Sequence, residues 1–284
     1  MSRELTRIQQ IERSIVKTYR QQLWSPFMRA ITKYDLISEG DVIAVCISGG
    51  KDSMLLAKLM QELARHSKVP FELHYLIMDP GYNEANRKKI EENAAILSLP
   101  VEIFPTKIFD VAFKTEKSPC YLCARMRRGA LYSKAKELGC NKIALGHHMN
   151  DVIETTLMTM FYSSQIRGMM PKLHSLNFDG MELIRPLYMI RERDIIKWAE
   201  HNGLSFIRCA CRFTENTAGA EDDSASKRLH IKNLIAAEMK DDPDIENSLF
   251  NSIHSVCIET LPGYKAEGKY HLFTEEYDKD IKNE

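Results

Sequence analysis

The chain has 284 residues, and its 39 Lys and Arg balance 39 Asp and Glu, so no global field draws it to nucleic acid and any RNA-binding surface must be a local patch. Hydrophobic residues make up 44% of it, ample for a core, and the mean hydropathy is -0.32. No apolar run approaches about 20 residues, which excludes a membrane span, and the charged first twenty residues lack the apolar segment of a secretory signal, so the expected compartment is the cytoplasm.

Along the chain, Ile8, Ile11, Ile15 and Tyr19 recur at helical spacing and predict an amphipathic helix within 1–33. An apolar strand over 42–47 runs into Ser48-Gly49-Gly50-Lys51-Asp52-Ser53 and then a helix. Further strands are expected at 71–78, 100–105, 142–146 and 182–187, with helices at 84–97, 120–138 and 150–162 between them. This alternation predicts an α/β fold, a Rossmann-like, doubly wound parallel sheet of about five strands with helices on both faces. From about residue 214 the chain reads as polar and helical, ending in a charged tail over 275–284. The expected organisation is an N-terminal helical extension (1–35), a nucleotide-binding domain (36–213) and a helical C-terminal segment (214–284).

The strand, glycine turn and helix start around Ser48–Ser53 form a phosphate-binding layout. Glycines let backbone approach an anion, and the first N–H groups of the helix point at it. The loop is neither a Walker A sequence nor Gly-x-Gly-x-x-Gly. It resembles the PP-loop of N-type ATP pyrophosphatases, which cleave ATP between the α and β phosphates. Two more polar clusters, Met78-Asp79 and Gly146-His147-His148-Met149-Asn150-Asp151, fall at the carboxyl ends of predicted strands, where such sheets bind ligands. Asp151 suits either a helix cap or a Mg²⁺ ligand, and His147 and His148 suit capping, phosphate contact or packing.

Seven cysteines are too sparse for a disulfide scaffold. Cys46 and Cys140 read as small core residues. Cys120 and Cys123 share one helical face, a spacing that serves a metal or cluster, a redox dithiol or a structural role; Cys209 and Cys211 offer a further thiolate, with zinc as the alternative to iron–sulfur.

Taken together, SGGKDS, CYLCARMRRG, LGHHMND…MFYSSQIRGMMPKL and IRPL resemble the tRNA 2-thiocytidine synthetase family over roughly residues 35–215. The resemblance implies an enzyme that uses ATP, Mg²⁺ and a 4Fe-4S cluster to replace O2 of cytidine 32 in tRNA by sulfur. Carried over, Asp52 is a catalytic, Mg²⁺-associated carboxylate and Lys51 acts beside it. Ser48, Gly49, Gly50, Lys51 and Ser53 form the phosphate cradle; Met78 meets adenine through its backbone; Gly146, His147 and Asp151 complete the nucleotide site. Cys120, Cys123 and Cys211 are the cluster ligands, with Cys209 the alternative third. Two departures stand out. Asn150 replaces the first aspartate of the family's Gly-His-His-x-Asp-Asp, and Arg208-Cys209-Ala210-Cys211-Arg212 is one residue shorter between cysteines than Pro-Cys-Asn-Leu-Cys-Gly.

On physical grounds, adenylation converts a poor pyrimidine leaving group into AMP, and three thiolates leave one iron position open for sulfur. Arg125, Arg127, Arg128, Arg167, Lys172 and Arg185 are candidate contacts to the RNA backbone. The expected partners are tRNA and a sulfur donor, a cysteine desulfurase or sulfide, with a homodimer allowed. Other PP-loop chemistries (thiolation of another base, lysidine-type modification, sulfonucleotide reduction) are the alternatives. An active protein that needs no iron would point to the lysidine type.

Overall fold

The computed structural model describes residues 5–112, 119–207, 223–275 and 277. The chain divides into two compact units, Met1–Leu229 and His230–Glu284. In the first, α1 (Arg7–Arg13) and α2 (Ser25–Lys33) precede β1 (Val42–Ile47), α3 (Lys51–His66), β2 (Glu72–Asp79), α4 (Glu84–Ile96) and β3 (Val101–Pro105). After α5 (Ile108–Ala112) come α6 (Pro119–Glu137), β4 (Lys142–Ala144), α7 (Met149–Ser163), β5 (Lys172–His174), β6 (Glu182–Ile184) and α8 (Glu192–His201).

The six strands are ordered β3-β2-β1-β4-β6-β5. The first five in that order run parallel, and β5 pairs antiparallel to β6. The order departs in opposite directions on either side of β1, so the crevice between the carboxyl ends of β1 and β4 is a topological switch point, the default ligand site of an open α/β sheet. Strand β1 is apolar throughout because both its faces are covered. Ile43, Val45 and Ile47 pack with Leu55, Leu56 and Leu59 of α3 on one side; Ala44 and Cys46 join Tyr132 and Ala135 of α6 on the other.

The α/β architecture expected from the alternation is present, with three local differences. The single helix expected within 1–33 is broken: π-helical turns at Ser14–Thr18 and Arg20–Trp24 separate α1 from α2. Here Ser14 Oγ donates to Ile11 O at 2.6 Å and accepts from Trp198 Nε1 and Asn202 Nδ2, so the helix interior is tied to α8 and the residue that follows it. Strand β5 is a sixth strand. The second unit, expected to be helical, contains the helix Ile245–Ser252 and also a hairpin, Gly263–Ala266 with Lys269–Leu272. Its two-residue turn, Glu267-Gly268, has φ of +50° and +76°, the primed geometry that matches strand twist. Cys46 and Cys140 are buried as expected, and burial pushes their thiols up to about 12 and about 11, which keeps both protonated. The charged tail lies largely outside the described residues.

Candidate active site

The Ser48–Gly50 loop turns from β1 into α3. Gly49 has φ +87°, and a Cβ there would fall 2.6 Å from Ile90 Cγ1, so both backbone and space exclude a side chain. Gly50 caps α3 without a side chain, leaving the positive end of that helix to a ligand. Ser53 holds the loop from inside: its Oγ accepts from Ser48 N–H at 3.1 Å and donates to Gly50 O at 3.0 Å.

The lead-in to α7 comes against this turn. A Cβ on Gly146 would stand 3.0 Å from Ser53 N, so backbone meets backbone there. His148 and Asp151 cap α7 reciprocally: His148 N–H donates to Asp151 Oδ2 at 3.0 Å, and Asp151 N–H donates to His148 Nδ1 at 3.4 Å. That leaves the other imidazole nitrogen of His148 facing Asp52 Oδ1 at 3.8 Å and Glu192 Oε1 at 4.0 Å.

These elements enclose a cavity of about 460 Å³. Ser48, Asp52 and Ser53 line it from the loop, and Gly146, His147 and Asp151 from the α7 lead-in. Met78 lines it from β2, and Ala124, Arg127 and Arg128 from α6. Seven of the expected nucleotide-site residues and two of the candidate RNA contacts thus share one cavity, with the cysteine-bearing helix as its wall. Gly50 and Lys51 line a second space of about 410 Å³ beside Glu192, with Asp52 common to both. Cys123 is partly exposed on α6, four residues before Arg127. Cys120 begins the same helix, with its side chain outside the described part; Cys209 and Cys211 lie outside the described residues. Among the described residues no group of three His, Cys, Asp or Glu is arranged to hold a metal. Asp52 does fit a cation: its Oδ1 is buried and has no hydrogen-bond partner among the described residues, while Oδ2 faces Lys51 Nζ at 3.2 Å. A buried carboxylate oxygen left unpaired costs more than about 1 kcal/mol, a cost that a bound Mg²⁺ would remove.

Two partners had no signal in the local motifs. Glu192, at the start of α8, accepts from Lys51 Nζ at 2.9 Å, and its own N–H donates to Asn150 Oδ1 at 2.9 Å. The Asn150 departure therefore holds the start of α8 against that of α7. Arg228, in the helix Asp223–Glu238, lies 3.3 Å from Asp151 Oδ1 and 3.2 Å from Glu154 Oε2. Burial works against the Lys51 charge, but Asp52 and Glu192 together outweigh it and hold its pKa above the ordinary lysine value. In Glu192→Gln one of those carboxylates is gone, so the alkaline limb of the pH–rate profile should move to lower pH; an unmoved limb would separate Glu192 from Lys51.

Arg185 is nearly buried rather than displayed to RNA. Its Nε donates to His147 Nδ1 at 3.3 Å and its Nη1 to Met170 O, and burial lowers its pKa to about 10. The same burial, reinforced by the Arg185 charge, pulls His147 down to about 4, so a neutral ring presents its Nε2–H near the cavity. With the folded pKa below the unfolded one, the unfolded chain takes up the proton first as pH falls. Stability should therefore drop between pH 6.5 and about 4, by on the order of 2 kcal/mol. Denaturant titrations across that window should flatten in His147→Asn.

Residues 13–211 match the PP-loop domain model. A tRNA-cytidine(32) 2-sulfurtransferase of Vibrio parahaemolyticus serotype O3:K6 is 37% identical over 239 residues, 82% of this chain and 76% of that protein. One of Citrifermentans bemidjiense is 34% identical over 231 residues, covering 80% and 88%. The chain belongs to the tRNA-cytidine(32) 2-sulfurtransferase family of PP-loop proteins. This is the family whose motifs the sequence displays. Its fold also matches that of the U34-tRNA thiolase NcsA from Methanococcus maripaludis, solved with its 4Fe-4S cluster. The TM-score is 0.63 at 20% identity, over 81% of this chain and 78% of that one. Within the family, this chain sets Asn150 where the motif has aspartate and uses it to anchor α8.

Proposed function

We propose that the chain is an ATP-dependent tRNA sulfurtransferase that adenylates O2 of cytidine 32 and replaces it with sulfur to give 2-thiocytidine. The observation that carries this reading is the single cavity shared by the PP-loop, the end of β2 and the cysteine-bearing helix α6. ATP would lie with its phosphates at the Ser48–Ser53 turn and its adenine at the Met78 backbone. Attack of the base oxygen on the α-phosphate forms the O–P bond and expels pyrophosphate. Lys51, held cationic by its two carboxylates, offsets the charge that builds on the phosphates. Asp52 and Asp151 are the residues that would hold Mg²⁺. Cys120, Cys123 and Cys211 would hold the 4Fe-4S cluster, which when bound would supply an iron position for sulfur; attack of that sulfur on the activated carbon would release AMP together with the former O2. Neutral His147 donates its Nε2–H to the bound ligand, and Arg127 and Arg128 meet RNA phosphate at the cavity wall. The target base must leave its stack to reach this depth. The sulfur donor would be a cysteine desulfurase or sulfide, the setting the cytoplasm, and the assembly is compatible with a homodimer.

The test is anaerobic purification with iron and sulfide assays, followed by mass spectrometry of tRNA nucleosides from a strain lacking the gene. Loss of 2-thiocytidine is expected. An unchanged thionucleoside profile, or full activity in iron-free protein, would overturn the assignment.

A further inference from the structure

Helix α7 starts at the cavity and ends on an apolar surface. Its last turn and the loop after it expose Met160 (43%), Phe161 (53%), Tyr162 (41%), Ile166 (64%) and Met170 (64%). So many large apolar side chains in one stretch mark an interaction surface rather than scattered exposure. Along the sequence of this stretch the charge has one sign, with Glu182 of β6 facing Lys172 and His174. From Thr155 to Phe178 the chain has no Asp or Glu, while Arg167, Lys172 and His174 fall within it.

Beside this stretch a groove of about 310 Å³ is lined by Thr155, Thr159, Tyr162, Lys227 and Arg228. Lys227 Nζ stands 5.3 Å from the centroid of the Tyr162 ring. Thr155 Oγ1 is buried with no hydrogen-bond partner among the described residues. Arg228 reaches from the groove to Asp151, so groove and cavity are continuous through one side chain.

We propose that the end of α7, the loop 164–171 and Lys227 receive the unpaired nucleotides that flank the target base. Phe161 and Tyr162 stack on bases, and Arg167 and Lys227 meet phosphates. This rests on the tRNA reading above. A purely apolar protein partner would have no use for Arg167 and Lys227 beside these rings, whereas single-stranded RNA offers both flat bases and regularly spaced anions. From Asp151 to Tyr162 is 11 residues of helix, about 16 Å. That spans roughly five nucleotides at the stacked spacing, so one loop can reach both the cavity and the rings.

The test compares wild type, Phe161→Ala/Tyr162→Ala and Arg167→Glu/Lys227→Glu as full-length, cluster-loaded protein, with tRNA isolated from the deletion strain as the probe. Both variants should raise the KM for tRNA at least about tenfold, leaving kcat, iron content and ATP affinity in place. The charge variant should also lower the salt slope of tRNA binding by about 1.4, the release expected for two single-strand phosphates. An unchanged tRNA KM and slope in both variants would overturn the proposal, as would a shift from dimer to monomer with tRNA affinity intact, which would assign the surface to a second copy. If wild type binds tRNA and yields no 2-thiocytidine, the sulfurtransferase reading fails while the surface proposal is still decided by the binding slopes.

Discussion

Asp52→Asn is expected to cut adenylation by at least about 100-fold while leaving the melting temperature equal to or above that of the parent. The substitution conserves volume and removes one negative charge from a position flanked by Lys51, His148 and Glu192. Asp52 keeps one oxygen buried without a hydrogen bond from any described residue, a cost to stability that its ion pair with Lys51 offsets only in part. A cation bound with ATP is what that oxygen is placed to meet. Removing the charge therefore relieves the resting protein and disables the loaded one. The measurements are pyrophosphate release with tRNA present and a thermal melt of the same preparation. Retained turnover with a lowered melting temperature would make Asp52 structural and overturn its catalytic assignment.

Cys123→Ser is the second. Anaerobically reconstituted protein should lose at least roughly tenfold in bound iron and sulfide, since metal sites lose that much on removal of even a residue that only supports a ligand. Its tRNA should carry no thionucleoside. Because Cys123 is half-buried on the surface of α6 rather than packed in the core, stability should change by less than about 0.5 kcal/mol. Cys257→Ser is the control: that residue is exposed in the second unit and should leave iron content unchanged. Equal iron in Cys123→Ser and wild type would remove Cys123 from the ligand set.

The parts of this fold that the sequence displayed are those written in local pattern. Strand β1 shows as a continuous apolar run because both faces are covered; Gly49 after it stands where a side chain would meet Ile90, and Gly146 after β4 where one would meet the start of α3. The parts it did not display depend on partners far along the chain. Strand β5 is three residues long, only intermediate to exposed in burial, and exists by pairing with β6. The hairpin of the second unit has four-residue strands that are mostly exposed, so no alternation between core and solvent marks it; the turn glycine at 268 was its one local sign. At the site, the Asp52 and Asp151 pattern was legible, but nothing near Lys51 announces Glu192, which lies 141 residues away. Asn150 read as a departure from a motif; its use became visible only with the N-terminus of α8 beside it.

The Lys51–Glu192 contact also has a consequence for the order of events during synthesis. A ribosome adds about 5–20 residues per second, so the lysine of the phosphate loop waits on the order of ten seconds or more before its second carboxylate has been made. Until α8 has emerged and docked on Asn150, Lys51 has the carboxylate of Asp52 beside it and lacks that of Glu192. The fully paired Lys51 should therefore be among the last features of the site that the nascent chain acquires, after the sheet through β6 is complete.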